Sequence, residues 1–276
     1  MQKLHRSHEH VEVLGLKTFY IKVGEGHPLV LCHGGSPGTC SSVNWKLNIE
    51  SFAAAGFAVY AFDQPGFGLT DNPADYSLDI RFAHARAFID LMNIGHYHVV
   101  GNSMGAYLAA RLALEDRRVR RLVLVSSSTL APKGSPESQA KSKRHADELR
   151  AYVPSFENML KMTQGTLYHR ELVTEELVRE RYEMSAGKNF AAQSARAHAA
   201  KSKSLDDELA DLKCKTLIFW GRNDHGTSLD QAIRLFQKIP EAELHIFDQC
   251  AHWVQWDHAA RFNRLVTDFL LSGESA

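Results

Sequence analysis

Short β-branched runs alternate along this chain with stretches of helical periodicity, and that alternation leaves few architectures open. The runs lie at residues 29–32, 58–62, 98–100, 122–125, 216–220 and 244–247, and helical patterns at 80–92, 107–114, 229–237 and 259–271 separate most of them. A strand–helix–strand rhythm predicts a mostly parallel sheet covered by helices on both faces. Before it, residues 11–23 alternate in β fashion around Gly15 and predict a hairpin. With 276 residues, 44% of them hydrophobic, the chain is long enough to bury one large core without splitting.

Between Ala131 and about Leu212 the rhythm stops, and helical patterns rich in Lys, Arg and Glu take over. This predicts a helical cap, residues 131–212, inserted after the sixth strand between core segments 1–130 and 213–276. The basic stretch from Lys133 to Arg150 also carries acidic residues and little aromatic interleaving, so it reads as a solvated face and not as a nucleic-acid patch. The 32 basic and 32 acidic side chains cancel, which leaves no global field to attract polyanions. The opening MQKLHRSHEH lacks the apolar stretch of a secretory signal, and no run of 18 apolar residues follows. A cytoplasmic protein acting on a small molecule is expected, with no nucleic-acid or membrane partner. Cys32, Cys40, Cys214 and Cys250 show no C-x-x-C spacing and read as free, mostly packed thiols.

The strand at 98–100 runs straight into Gly101-Asn102-Ser103-Met104-Gly105, and a helical pattern follows at once. A G-x-S-x-G turn between strand and helix holds a serine in a strained conformation with its hydroxyl exposed, because only small neighbours let the backbone close. The plain alternative is a serine that caps the helix. The acid partner is expected after the next strand but one, where Thr216–Trp220 leads to Asp224; Asp230 and Asp248 are nearby spares. The base is expected after the last strand, where His252 stands. The order Ser, Asp, His is that of the α/β hydrolases, and position selects His252 among 15 histidines.

His33-Gly34-Gly35-Ser36-Pro37-Gly38 follows the strand at 29–32, where such folds place a second oxyanion donor. The amides of Gly35 and Met104 are the expected donors. No phosphate-binding glycine pattern is present. In the helix expected at 174–185, Leu177, Val178 and Tyr182 share one arc and Arg181 falls inside it. A buried arginine requires an anion; a salt bridge, a snorkelling side chain and a substrate contact all remain open. The histidine groups His5/His8/His10 and His96/His98 do not make a metal site, since the first sits in a terminus expected to fray and the second lacks a third ligand.

Taken together, these segments resemble the meta-cleavage product hydrolases, carbon–carbon bond hydrolases of aromatic and steroid ring degradation. The resemblance covers almost the whole chain and is carried by HGGSPG with Asn44 downstream, DQPGFG, GNSMGA, LVTEELVRERY and CAHWVQWDHAARFNRLVTDFL. It implies Ser103, Asp224 and His252 as a triad, Gly35 and Met104 as oxyanion donors, and Arg181 as the holder of a 2-oxo-acid carboxylate. It further implies a substrate subsite shared by Asn44, Asn102, Trp253, Gly34 and Ser36. The implied reaction is hydrolysis of a 2-hydroxy-6-oxohexa-2,4-dienoate to 2-hydroxypentadienoate and a carboxylic acid, without a cofactor and in a homo-oligomer of two or more copies. Ser36 replaces the family's third glycine and Ala106 its usual later one, while His225, Gly226, Thr227 and Ser228 form a smaller, more polar wall after the acid. A carboxylesterase or lactonase would use the same triad without Arg181. A receptor that slowly turns over a signalling ligand would also retain it.

Overall fold

In the computed structural model, residues 6–131, 134–197, 199 and 203–272 are described. Eight strands form one sheet: β1 Arg6–Val13, β2 Leu16–Val23, β3 His27–Cys32, β4 Phe57–Phe62, β5 Tyr97–Asn102, β6 Val119–Val125, β7 Lys215–Gly221 and β8 Ala242–Phe247. Their spatial order is β1-β2-β4-β3-β5-β6-β7-β8. The first two pairings are antiparallel and the rest parallel. Helices α1 Ser41–Asn44, α2 Ile49–Ala54, α3 Leu78–Leu91 and α4 Met104–Glu115 precede β6. Helices α9 Leu229–Lys238, α10 Val254–Asp257 and α11 Ala259–Leu271 follow β7.

The inner parallel strands β3, β5, β6 and β7 are covered on both faces, which is why their runs read as continuously apolar rather than alternating, whereas the edge strand β8 stays half-exposed. Val30, Val99, Leu122, Leu124 and Ile218 point into a core shared with Phe88, Leu108 and Leu235 of α3, α4 and α9. Their strand neighbours Leu29, Leu31, Val100, Val123 and Leu217 point the other way, onto Phe52, Phe262 and Val266 of α2 and α11. The hairpin between β1 and β2 turns at Leu14 and Gly15, both at positive φ (50° and 76°), the twist that suits a two-residue hairpin loop.

Between β6 and β7 the chain forms α5 Pro136–Ala151, α6 Phe156–Thr166, α7 Glu175–Ser185 and α8 Lys188–Ala197, with 3-10 turns at Arg170–Leu172 and Asp206–Asp211 and no strand among the described residues. Leu167 and Leu177 of this excursion pack with Cys40, Val43, Trp253 and Trp256 of the sheet domain. That apolar joint sets the helices over the ends of β5 and β7.

Two expectations need correction. The segment expected to fray is paired from Arg6 onward, and His8 and His10 lie against the Phe19 ring at 6.0 and 5.4 Å. The basic stretch is not wholly solvated either, since Lys141 Nζ donates to the Thr227 carbonyl at 2.9 Å. His5 and Lys133 lie outside the described residues. Among the described residues no helix is long and apolar enough to cross a membrane, and no three His, Cys, Asp or Glu side chains are grouped to hold a metal ion. All four cysteines are free; Cys32, Cys40 and Cys250 are buried and Cys214 is half-buried.

Candidate active site

Ser103 joins β5 to α4 with φ 56° and ψ −119°, a conformation costly for a residue with a side chain and found where the surroundings impose it. The closeness of the turn explains its glycines. A Cβ on Gly101 would stand 2.3 Å from the Gly105 carbonyl oxygen, and one on Gly105 would stand 2.1 Å from that of Cys32. The Ser103 hydroxyl makes no capping hydrogen bond to α4, which removes the capping alternative. It stands half-buried at the positive end of that helix dipole.

After β7, the Asp224 carboxylate accepts the Nδ1–H of His252 at 2.7 Å. The backbone amides of Gly226 and Thr227 also donate to it, at 2.7 and 3.1 Å, as does the Thr227 hydroxyl. Burial alone would raise this carboxyl; the adjoining His252 and these donors outweigh it and hold Asp224 down at about 2. The spare acids are engaged elsewhere, Asp230 with Ser135 and Ser138, and Asp248 with Arg222 at the surface. The backbone N–H of His252 donates to the Thr166 carbonyl at 3.1 Å, so α6 anchors the histidine directly.

The amides of Gly35 and Met104 have no hydrogen-bond acceptor among the described residues. The two residues are in close contact, since a Cβ on Gly35 would meet Met104 Sδ at 2.8 Å. Gly34 N–H donates to Asn44 Oδ1 at 3.3 Å, and Asn44 Nδ2 donates to Asn102 Oδ1 at 3.2 Å. Both asparagines are fully buried, so they tie the glycine turn to the serine turn. The Ser36 hydroxyl bonds to that of Thr39 at 2.7 Å.

Arg181 is fully buried, as its place on the apolar arc of α7 implied. Its Nη1 donates to Thr163 Oγ1 at 3.1 Å and Thr166 Oγ1 at 3.4 Å, and its Nη2 to the Pro37 carbonyl at 3.3 Å. The guanidinium lies 4.7 Å from the centre of the Trp253 ring, and its Nε is buried without a partner. No carboxylate pairs with it among the described residues. Burial lowers its pKa to about 10, which leaves it charged at neutral pH.

A cavity of about 410 Å³ opens beside His252, with Ser36, His145, Tyr152, Met162, His225 and Gly226 in its wall. The polar wall expected from residues 225–228 is thereby halved. Thr227 is turned to Asp224, and Ser228 caps α9 in a reciprocal bond with Gln231. His145 of α5 comes within 6.1 Å of the His252 ring, and burial lowers its pKa with help from His252. Sequence reasoning missed His145, Thr163 and Thr166. The two threonines stand three apart on one face of α6, a spacing that would have paired them; nothing local marks His145.

The fold, with Ser103 in the β5–α4 turn and an Asp224–His252 pair after β7 and β8, is that of an α/β hydrolase, and the α/β hydrolase fold family matches residues 27–259. Within that class the chain belongs to the meta-cleavage product hydrolases. It is 34% identical over 267 residues to the 2-hydroxy-6-oxononadienedioate/2-hydroxy-6-oxononatrienedioate hydrolase of Burkholderia vietnamiensis, covering 92% of this chain and 91% of that one. It is 35% identical over 264 residues to the 2-hydroxy-6-oxo-6-phenylhexa-2,4-dienoate hydrolase of Comamonas testosteroni, covering 91% and 90%. The meta-cleavage product hydrolase of Pseudomonas fluorescens IP01, solved as a serine-to-alanine mutant with acetates, superposes with a TM-score of 0.83 at 35% identity, over 95% of this chain and 97% of that one.

Proposed function

We propose that this enzyme hydrolyses the carbon–carbon bond of a 2-hydroxy-6-oxohexa-2,4-dienoate, giving 2-hydroxypentadienoate and a carboxylic acid. The observation that carries this reading is Arg181, a buried cation that no carboxylate among the described residues pairs with, set over Trp253 and within reach of the HGGSPG turn. A bare ester has no use for such a cation; a dienoate carboxylate supplies the missing anion. Residues 131–212 serve as the cap that brings it there, over a core of 1–130 and 213–276.

In this reading Arg181 holds the C1 carboxylate while the dienol gives up its 2-hydroxyl proton and takes one up at C5, and the resulting enone becomes an electron sink. Ser103 then gives its proton to His252 and attacks the C6 carbonyl. The amides of Gly35 and Met104 hold the oxyanion. Its collapse breaks the C5–C6 bond and sends the electron pair through the enone to the C2 oxygen, which takes the proton back from His252, leaving 2-hydroxypentadienoate, an acyl-Ser103 and a neutral imidazole. Water, deprotonated by His252, releases the acid, and Asp224 stabilises the imidazolium in both halves. Asn44, Asn102, Gly34, Ser36 and Trp253 shape the subsite around the dienoate.

Turnover in ¹⁸O-water tests the scheme. One labelled oxygen is expected in the carboxylic acid and none in the pentadienoate carboxylate. Label in neither product, or no cleavage of a dienoate beside rapid ester hydrolysis, removes the proposal in favour of an esterase.

A further inference from the structure

The amide assigned to the oxyanion belongs to a peptide with glycine on both sides. Such a peptide rotates easily, because neither residue has a side chain to restrict it. An oxyanion donor must instead be fixed before the reaction begins. The tether that fixes this one is His33. A backbone N–H only donates, so the bond from Gln64 N–H to His33 Nε2 at 2.9 Å requires Nε2 to be bare. The ring proton therefore sits on Nδ1, which donates to the Gly34 carbonyl at 2.7 Å. Carbonyl and N–H point in opposite directions across a planar trans peptide, and no peptide bond here is cis. Holding the Gly34 oxygen on the histidine side thus turns the Gly35 N–H to the other.

We propose that His33 is a positioning residue for the reaction: through Nδ1–H and the Gly34 carbonyl it orients the Gly35 amide toward the oxyanion. This rests on the serine-hydrolase reading above, in which Gly35 is a donor. Three further features support it. His33 is fully buried, so neither contact competes with water. Its backbone carbonyl accepts Gln64 Nε2–H at 2.5 Å, which locks the ring at its base. The Phe67 ring packs edge-on against it at 5.2 Å, with Arg81 and Arg196 over that same phenyl ring at 5.1 and 3.9 Å. Burial lowers the imidazole's pKa to about 3 against the pull of the Gly34 bond, and the two arginines add to the lowering, so the single-proton tautomer persists through the working range.

Two substitutions separate the ring's two bonds. His33→Asn keeps an N–H near the Nδ1 position and loses the acceptor for Gln64; His33→Gln keeps an acceptor near Nε2 and loses the donor to Gly34. His33→Gln is expected to lower kcat about tenfold to a hundredfold on dienoate and p-nitrophenyl ester alike, with KM nearly unchanged, since a misaimed donor matters only once the oxyanion forms. His33→Asn is expected to retain kcat within severalfold. Equal kcat in the two variants, or the reverse order, overturns the role. If neither variant folds, ¹⁵N NMR of the wild-type imidazole decides: the Nδ1–H tautomer is expected, and an Nε2–H tautomer overturns the proposal. A parallel Ser103→Ala variant keeps the layers distinct, because full turnover without Ser103 defeats the serine reading itself, whereas unchanged kcat in His33→Gln defeats only the positioning role.

Discussion

The guanidinium of Arg181 lies 4.7 Å from the centre of the Trp253 ring, and the backbone N–H groups of His252 and Trp253 both donate to the Thr166 carbonyl, at 3.1 and 3.4 Å. Thr166 also accepts from Arg181 through its hydroxyl. One residue of α6 therefore joins Arg181 to His252, and moving that helix moves both.

Replacing Arg181 by Ala removes the anchor. A dienoate then loses charge-assisted hydrogen bonds of about 1.5–3 kcal/mol each, roughly tenfold to a hundredfold or more in kcat/KM. A neutral p-nitrophenyl ester has no carboxylate to lose, and its hydrolysis should change little while circular dichroism shows the variant folded. Arg181→Lys is expected to recover only part of the loss, because a lysine ammonium neither stacks flat on Trp253 nor forks between Thr163 and Pro37. Equal losses on dienoate and ester would make Arg181 structural.

Thr166→Val keeps the side chain's volume and the carbonyl bonded to His252, and deletes only the hydroxyl under Arg181. KM for the dienoate should rise about twofold to tenfold with kcat little changed, the cost of one hydrogen bond. A fall in kcat at constant KM would mean that the hydroxyl acts on the chemical step instead.

The alternation of strand and helix patterns disclosed the sheet, and the elbow, the acid turn and the last histidine were legible because each lies where a parallel strand ends. Arg181 was legible as inward-facing from periodicity alone. That no carboxylate among the described residues pairs with it was not, because that depends on Thr163, Thr166 and Pro37 converging from two other segments. The tethering role of His33 and the approach of His145 were invisible for the same reason. The first acts through a peptide orientation, and the second owes its approach to Gly226, where a Cβ would come within 2.6 Å of the His145 ring. The pairing of β1 from Arg6 was missed because RSHEH is polar and its partner is β2, not the core.

Acid should destabilise the fold well before it protonates the carboxylates. His33 and His84 are buried neutral, with burial lowering their pKa values to about 3 and about 4. In the unfolded chain each takes up a proton near pH 6.5. Below that pH the unfolded state binds more protons, so stability falls as pH drops, by up to about 1.4 kcal/mol per pH unit for each histidine, until the folded rings titrate. Asp224, held at about 2, adds its loss only below about pH 4, where the unfolded aspartate begins to protonate. Urea midpoints should decline from about pH 7 to about pH 5; a constant midpoint contradicts the assignment of both rings as buried and neutral.

Gly105→Ala tests the packing of the elbow, since its new methyl would sit 2.1 Å from the Cys32 carbonyl oxygen. Backbone has to shift to admit it, at a cost of about 1–3 kcal/mol or more. Tm should fall by roughly 2–4 °C per kcal/mol, and activity should fall with it because Ser103 and the Met104 amide move together. A variant with wild-type Tm and turnover would show that the elbow is looser than its contacts imply.

Whether Ser103 opens a carbon–carbon bond can be read from the visible absorbance of a 2-hydroxy-6-oxohexa-2,4-dienoate followed at catalytic enzyme concentration. The wild-type enzyme should bleach many equivalents of dienoate with release of 2-hydroxypentadienoate. Ser103→Ala should bind the dienoate yet bleach it about a thousandfold or more slowly. A dienoate left intact by the wild-type enzyme would rule out carbon–carbon hydrolysis, and one bleached as fast by Ser103→Ala would rule out Ser103 as the nucleophile.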